Sequence, residues 1–201
     1  MNSLFAIALR VTVASLVLTG LVYPLAVTGL SQLLFPSRAN GSLTTDEKGQ
    51  VVGSELIAQG FTRPGYFQPR GSAAGAAGYD ATASSGTNLG PTSRKLKDSA
   101  AAAAVKARAE NPEASADVPS ELVTSSASGL DPHLSPEAAL WQVARVAKSR
   151  QVNPERVRTV VEEAVEGRDL AILGEPRVNV LKLNLALDRQ FGRESANVPA
   201  R

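Results

Sequence analysis

Ser128, Asp131 and His133 are the residues whose types come nearest to a nucleophile, an orienting acid and a base. In a working triad the base is oriented by a partner fixed elsewhere in the fold, and here only Pro132 separates Asp131 from His133. That geometry is hard to build from adjacent loop residues. The expectation is instead that Asp131 and Ser135 satisfy backbone donors at a helix entrance while His133 faces solvent. Glu162, Glu163 and Glu166 make a second acidic group, read as the solvated face of a helix with Arg156 and Arg158 as its ion-pair partners. A cation site would need oxygen ligands converging from several elements, and this run alone does not indicate one. The chain has no Cys and one His. Disulfides, thiolate zinc, iron–sulfur clusters, thiol catalysis and polyhistidine metal sites are thereby excluded. Neither a phosphate-cradling Gly-rich motif nor a nucleophile elbow occurs.

Composition narrows the class further. Lys and Arg number 21 against 19 Asp and Glu, a balance too even for nucleic-acid binding. Hydrophobic residues make up 43% and aromatic residues 4%, so a core must be built from small aliphatic side chains. From Val11 to Ser37 there is no charged residue, a run longer than the ~20 residues a helix needs to cross a bilayer. It is also longer than the h-region of a cleaved signal peptide. Residues 11–35 are therefore expected to form a retained transmembrane helix, kinked at Pro24. Arg10 precedes it and Arg38 follows, which favours an inside amino terminus only slightly. On this reading residues 1–10 are a short cytoplasmic N-terminus, 36–192 an extracytoplasmic domain, and 193–201 a flexible tail.

The domain is expected to be α+β, with several helices and a small sheet. Gln50–Val52 reads as a short strand, and Ser54 as the cap of a short helix over 55–59. Residues 61–70 read as a loop pinned by its aromatics. Gly71–Gly78 has the composition of a flexible linker, and Ser84–Asn88 that of turns or a polar lining. A helix is expected from about Ser93 to Ala109, with Leu96, Ala100, Ala103 and Ala107 on one face. A strand is expected at Leu122–Thr124. Ser135-Pro136-Glu137 starts a helix to about Arg150, with Leu140, Val143, Ala144 and Ala147 as its apolar face. Asn153-Pro154-Glu155 starts another, ended by Gly167. Residues 178–191 fit a strand in part, but the helix capped by Asn179 is preferred. From residues alone the chain is an anchored extracytoplasmic domain without recognisable catalytic machinery; a membrane-anchored hydrolase using His133 and a tethered binding module are the alternatives.

Three ordered blocks carry a resemblance. The stretch Ser125 to Pro136, with Ala138-Ala139, Gln142 and Arg145-Val146-Ala147, resembles the C-subunit family of the bacterial Kdp potassium-transporting P-type ATPases. Tyr66-Phe67 with Arg70 and Ser72, then Tyr79 and Ser84–Leu89 including Asn88, resembles that family's earlier motif. Val178–Leu181 with Leu183–Asp188 resembles its closing one. Gly71 stands where the family usually has proline and Ser85 where it usually has glycine, which would loosen the local loop conformation. The resemblance implies a single-pass protein of the cell (inner) membrane that is not itself an enzyme. Its partners would be a polytopic potassium-translocating subunit, the P-type ATPase subunit, a small single-span subunit and membrane lipid, but no nucleic acid. It further implies a catalytic chaperone and assembly factor for a complex that uses ATP and transports potassium, with no cofactor or metal assigned to this chain. Tyr66, Phe67, Arg70, Ser72, Asn88, Ser128, Gly129, Asp131, Gln142, Arg145, Asn179 and Asn184 would have structural or partner-docking roles.

Overall fold

The computed structural model describes residues 2–46, 48–114 and 117–193. Two units divide at Leu43. The first is helical: α1 (Asn2–Val17), a π-helical turn over Leu18–Val22, α2 (Tyr23–Leu34) and the single turn α3 (Pro36–Ala39). Arg10 thus lies within the helical run. From Ser3 to Leu34 the run is apolar and long enough to span a bilayer, and no residue of it is buried. Its uncharged stretch from Val11 to Leu34, unburied throughout, fits a bilayer better than water. The register widens just before Pro24, where the Tyr23 N–H reaches back to the Leu18 carbonyl. Proline brings no N–H of its own, and a wide turn is one way a helix absorbs that loss.

The second unit opens with a hairpin, β1 (Leu43–Thr45) and β2 (Val51–Ser54). The Asp46 carboxylate turns its loop by accepting from the Lys48 and Gln50 N–H groups. Helices α4 (Arg94–Glu110) and α5 (Ser120–Val123) follow. Next come β3 (His133–Leu134), α6 (Pro136–Trp141), α7 (Val143–Arg150) and α8 (Pro154–Glu163). The chain then runs through β4 (Val165–Glu166), β5 (Arg177–Asn179) and α9 (Val180–Phe191). β5 lies between β3 and β4, antiparallel to both, with Leu134 and Val165 each opposite Val178. The core sits where this small sheet meets α6–α9: Leu134, Val146, Val157, Val161, Leu183 and Leu187 are at most 1% exposed, and Phe67 enters from the loop with none of its surface exposed. Burying each such side chain stabilises the fold by about 1.5–3 kcal/mol.

The caps expected at Ser135, Asn153 and Asn179 are present, and Ser93 caps α4 as well. Ser93, Ser135, Asn153 and Asn179 each accept a backbone N–H from the first turn of the helix that follows. Leu96, Ala100, Ala103 and Ala107 are the half-buried face of α4, which ends at Asn111. The ambiguity over 178–191 resolves into both elements in succession, a three-residue strand whose last residue caps the helix.

Other expectations fail for identifiable reasons. No helix forms over 55–59, only a turn closed by the Ile57 N–H on the Ser54 carbonyl. The Ala58 N–H, which a helix would turn back on its own segment, is drawn instead to the Leu130 carbonyl. Residues 120–123 are a helical turn rather than a strand. The 136–150 helix breaks at Gln142, whose amide serves another segment. The break leaves Leu140 and Ala144 half-buried and turns Ala139 and Val146 inward. α8 stops at Glu163 rather than at Gly167, because Val165 and Glu166 pair with β5. Gly71–Gly78 is no free linker: Ala74 is fully buried, and the Ser72 hydroxyl accepts from the Ala74 and Tyr79 N–H groups. Residues 194–201, expected as tail, lie outside the described residues, while Arg193 pairs with Asp46 at 2.8 Å.

Candidate functional site: a clamped loop and the cluster behind it

Residues 64–68 belong to no helix or strand, so their backbone groups need partners from elsewhere. Side chains supply them. The Asn184 carboxamide holds Phe67 from both sides, accepting its N–H at 2.8 Å and donating to its carbonyl at 3.0 Å. The Gln142 carboxamide does the same for Gln68, at 2.9 and 3.0 Å. Each amide presents the donor–acceptor pair that a neighbouring strand would offer. Arg145 donates to the Pro64 and Tyr66 carbonyls and to Gln142 Oε1. Arg150 donates to the Gly65 carbonyl at 2.6 Å and to Asp188 at 2.8 Å, and its guanidinium lies 4.8 Å from the centre of the Tyr66 ring. The Tyr66 hydroxyl donates to the other oxygen of Asp188 at 2.9 Å. Burial, with Asp188 alongside, pushes the Tyr66 hydroxyl above its usual pKa, so it stays protonated as that donor. Asn184, Gln142, Arg145, Arg150 and Asp188 thus hold the loop over the core, with Phe67 driven into it.

A second cluster lies behind the first. Arg70 reaches Asp131 at 3.2 Å, and Asp131 Oδ1 accepts the His133 N–H at 3.0 Å with the imidazole Nδ1 at 3.7 Å. The neighbouring His133 imidazole, with the His133 N–H and Arg70 assisting against partial burial, holds the Asp131 carboxyl below the usual carboxylate range. Tyr79 donates its hydroxyl to the Arg70 carbonyl. The Gly71 carbonyl accepts from Ser126, and the Ser128 carbonyl accepts from the Ser84 hydroxyl and the Ser85 N–H. These three segments approach so closely that only glycine fits at Gly129. With φ at +70°, a Cβ there would lie 2.6 Å from the Ser85 carbonyl oxygen and 2.7 Å from the Ala74 nitrogen. Gly71 and Ser85, the two departures from the family pattern, are both tied down by these bonds rather than loosened.

Tyr66, Phe67, Gln142, Arg145 and Asn184 are therefore brought together at the clamp. Arg70, Ser72, Ser128, Gly129 and Asp131 gather around the second cluster. Asn179 caps α9 and donates to the Glu55 carbonyl. Asn88 is exposed with φ at +52°, and Pro24 lies in the other unit. Arg150 and Asp188 are the clamp residues the sequence reading passed over. Their signal was placement: Asp188 follows Asn184 by one turn on the face that also carries Leu183 and Leu187.

The triad geometry is absent. The Ser128 hydroxyl accepts from the Leu130 N–H, Asp131 is engaged by Arg70, and no hydrogen bond among the described residues joins Ser128 to His133. Asp131 satisfies the His133 N–H rather than the helix entrance, where Ser135 caps alone. His133 is half-buried against the acid rather than facing solvent. The acidic helix face is solvated as expected at Glu162 and Glu163, but Glu166 is half-buried and the ion-pair partners differ from those expected. Glu162 and Glu163 are exposed, Glu166 pairs with Arg177 and Lys182, Arg158 pairs with Glu155, and Arg156 lies over the Phe191 ring. Among the described residues no group of three or more His, Asp or Glu could hold a metal ion. A groove of about 480 Å³ beside α9 includes Asp46, Asp188 and Arg193, already held in ion pairs with Arg193, Arg150 and Asp46.

Fold and site together define a small α+β domain joined to one membrane-length apolar helix, with Gln142, Arg145 and Asn184 turned inward onto its own loop. A family model described as KdpC, K+-transporting ATPase, c chain, matches residues 5–189. Its relatives include the potassium-transporting ATPase KdpC subunit of Myxococcus xanthus, 68% identical over 192 residues, covering 96% of this chain and 90% of that one. That of Rhodospirillum rubrum is 54% identical over 184 residues, covering 92% and 94%. That of Nitratidesulfovibrio vulgaris is 56% identical over 170 residues, covering 85% and 86%. The chain belongs to the KdpC family.

Proposed function

We propose that the chain is a non-catalytic accessory subunit of an ATP-driven potassium import complex. It is held in the cell's inner membrane by its N-terminal helix, amino terminus inside, with the domain on the extracytoplasmic side. There it contacts a polytopic potassium-translocating subunit, alongside the P-type ATPase subunit and a small single-span subunit. It stabilises their assembly and supports nucleotide binding by the ATPase subunit as a catalytic chaperone. One observation carries this: a membrane-length helix without a buried residue is joined to a domain whose motif side chains hold its own backbone. Such a domain has no direct route to cytoplasmic nucleotide. Its influence is a coupling free energy between two states of the complex, about 1–3 kcal/mol where such coupling is typical.

Affinity purification of the tagged full chain in mild detergent tests this. The expected result is recovery of an ATPase subunit and a polytopic subunit with it, and protection of the domain from protease in sealed inside-out vesicles. A chain that purifies alone and intact overturns the subunit role; cleavage of the domain in those vesicles overturns its placement.

A further inference from the structure

Between β4 and β5 the chain leaves the sheet and carries an aliphatic tip into solvent. Leu170 is 85% exposed, Ile172 75% and Leu173 56%. Leu170 and Ala171 both have left-handed backbone, at φ +53° and +66°, a conformation that side-chain-bearing residues rarely adopt. The turn is closed on itself, the Asp169 N–H donating to the Leu173 carbonyl at 2.8 Å and the Leu173 N–H to the Asp169 carbonyl at 2.9 Å. Two ion pairs brace its neck, Arg168 to Glu175 at 2.6 Å and Arg177 to Asp169 at 3.4 Å. Greasy side chains are thus held outward by an ordered and strained frame. Strain of this kind is retained where the surrounding structure enforces it and a function uses the result.

Building on the subunit role above, we propose that this tip is a plug that seats in a concave, uncharged, aliphatic socket on another protein subunit of the same complex. Charge favours a protein socket over a lipid surface. At the neck Arg168 pairs with Glu175, and Arg177 is shared between Asp169 and Glu166, the latter also held by Lys182, so each cation there is matched by carboxylates; the loop has neither an unpaired Lys or Arg nor the Trp or Tyr that mark headgroup contact. Area argues against a second copy. Three aliphatic side chains offer a few hundred Å², well under the roughly 1,200 Å² of a free-standing stable interface. A contact that small suffices only where other contacts already hold the two proteins together, which the subunit role supplies for a partner subunit and not for a second copy. The braced turn also lowers the ordering cost of docking.

The chain contains no Cys, so Ile172→Cys places its only thiol at the tip without touching the core. The full-length variant is labelled with a maleimide dye in three settings: alone in detergent, in the co-purified complex, and alone in phosphatidylcholine–phosphatidylglycerol vesicles. Gel separation assigns the label to this chain. The expected result is labelling at least about tenfold slower in the complex than alone, equivalent to about 1.4 kcal/mol of protection, and no comparable slowing in vesicles. Equal rates alone and in the complex overturn the plug. Equal protection in vesicles assigns the tip to lipid and overturns it as well. Failure of the unmodified chain to co-purify, seen before any labelling, overturns the subunit role and the plug with it; co-purification with an unprotected thiol overturns the plug alone.

Discussion

Replacing Asn184 with Ala removes both partners of the Phe67 backbone at a position where Asn184 is 2% exposed and Phe67 fully buried. An orphaned buried donor or acceptor costs about 1–3 kcal/mol, so the two together should cost about 2–6 kcal/mol. Asn184→Leu separates this from a packing effect, since it refills the volume but restores neither bond; it should be nearly as damaging as Ala. The assay is urea unfolding of the full chain in detergent micelles. It is followed by the fluorescence of Trp141, the only tryptophan and one held in α6 at 9% exposure. Gln142→Ala should cost a similar amount. The double variant should fall short of the sum, because both amides act on adjacent residues of one loop and the second loss finds it already released. A loss below about 1 kcal/mol for Asn184→Ala, or a Leu variant as stable as the unmodified chain, would refute the clamp as the source of the loop's order.

Gly129→Ala should destabilise by about 1–3 kcal/mol, because its Cβ would press on the Ser85 and Ala74 backbones at positive φ. An unchanged urea midpoint would count against that close approach. Asp131 has its folded-state pKa held below the unfolded value of about 3.9. Its contribution is therefore present above that value and lost as pH falls through the lower, folded one. Asp131→Asn should remove that part of the acid-induced loss, and identical stability profiles between about pH 5 and pH 2 would refute it.

Helix starts were legible because capping is local chemistry: Ser93, Ser135, Asn153 and Asn179 each act on the next turn of chain. The membrane-length helix was legible because a span needs an uninterrupted apolar run. Residues 61–70 were read as a loop pinned by aromatics, which holds for Phe67. The main fastening, however, comes from amides and guanidinia far along the sequence, and no local pattern announces that a Gln or Asn will face a distant backbone. The helix break at Gln142 escaped notice for the same reason, since the 3.6-residue period runs through it. Alanine and glycine around 71–78 read as linker because their composition is that of one; they are instead small because three backbones must meet there. Polar residues on an otherwise apolar helix face, Gln142 and Arg145 or Asn184 and Asp188, were the available clue to the clamp.

The distance along the chain between the loop and its fastenings shapes how the protein is made. Phe67 and Asn184 are 117 positions apart, so a ribosome releases the loop long before the residues that shape it. Until α9 has emerged, the nascent chain carries Phe67 with bare peptide groups and without its pocket. Closure of the domain is then a late event in biogenesis, and a message truncated upstream of codon 184 yields an anchored polypeptide that never completes it.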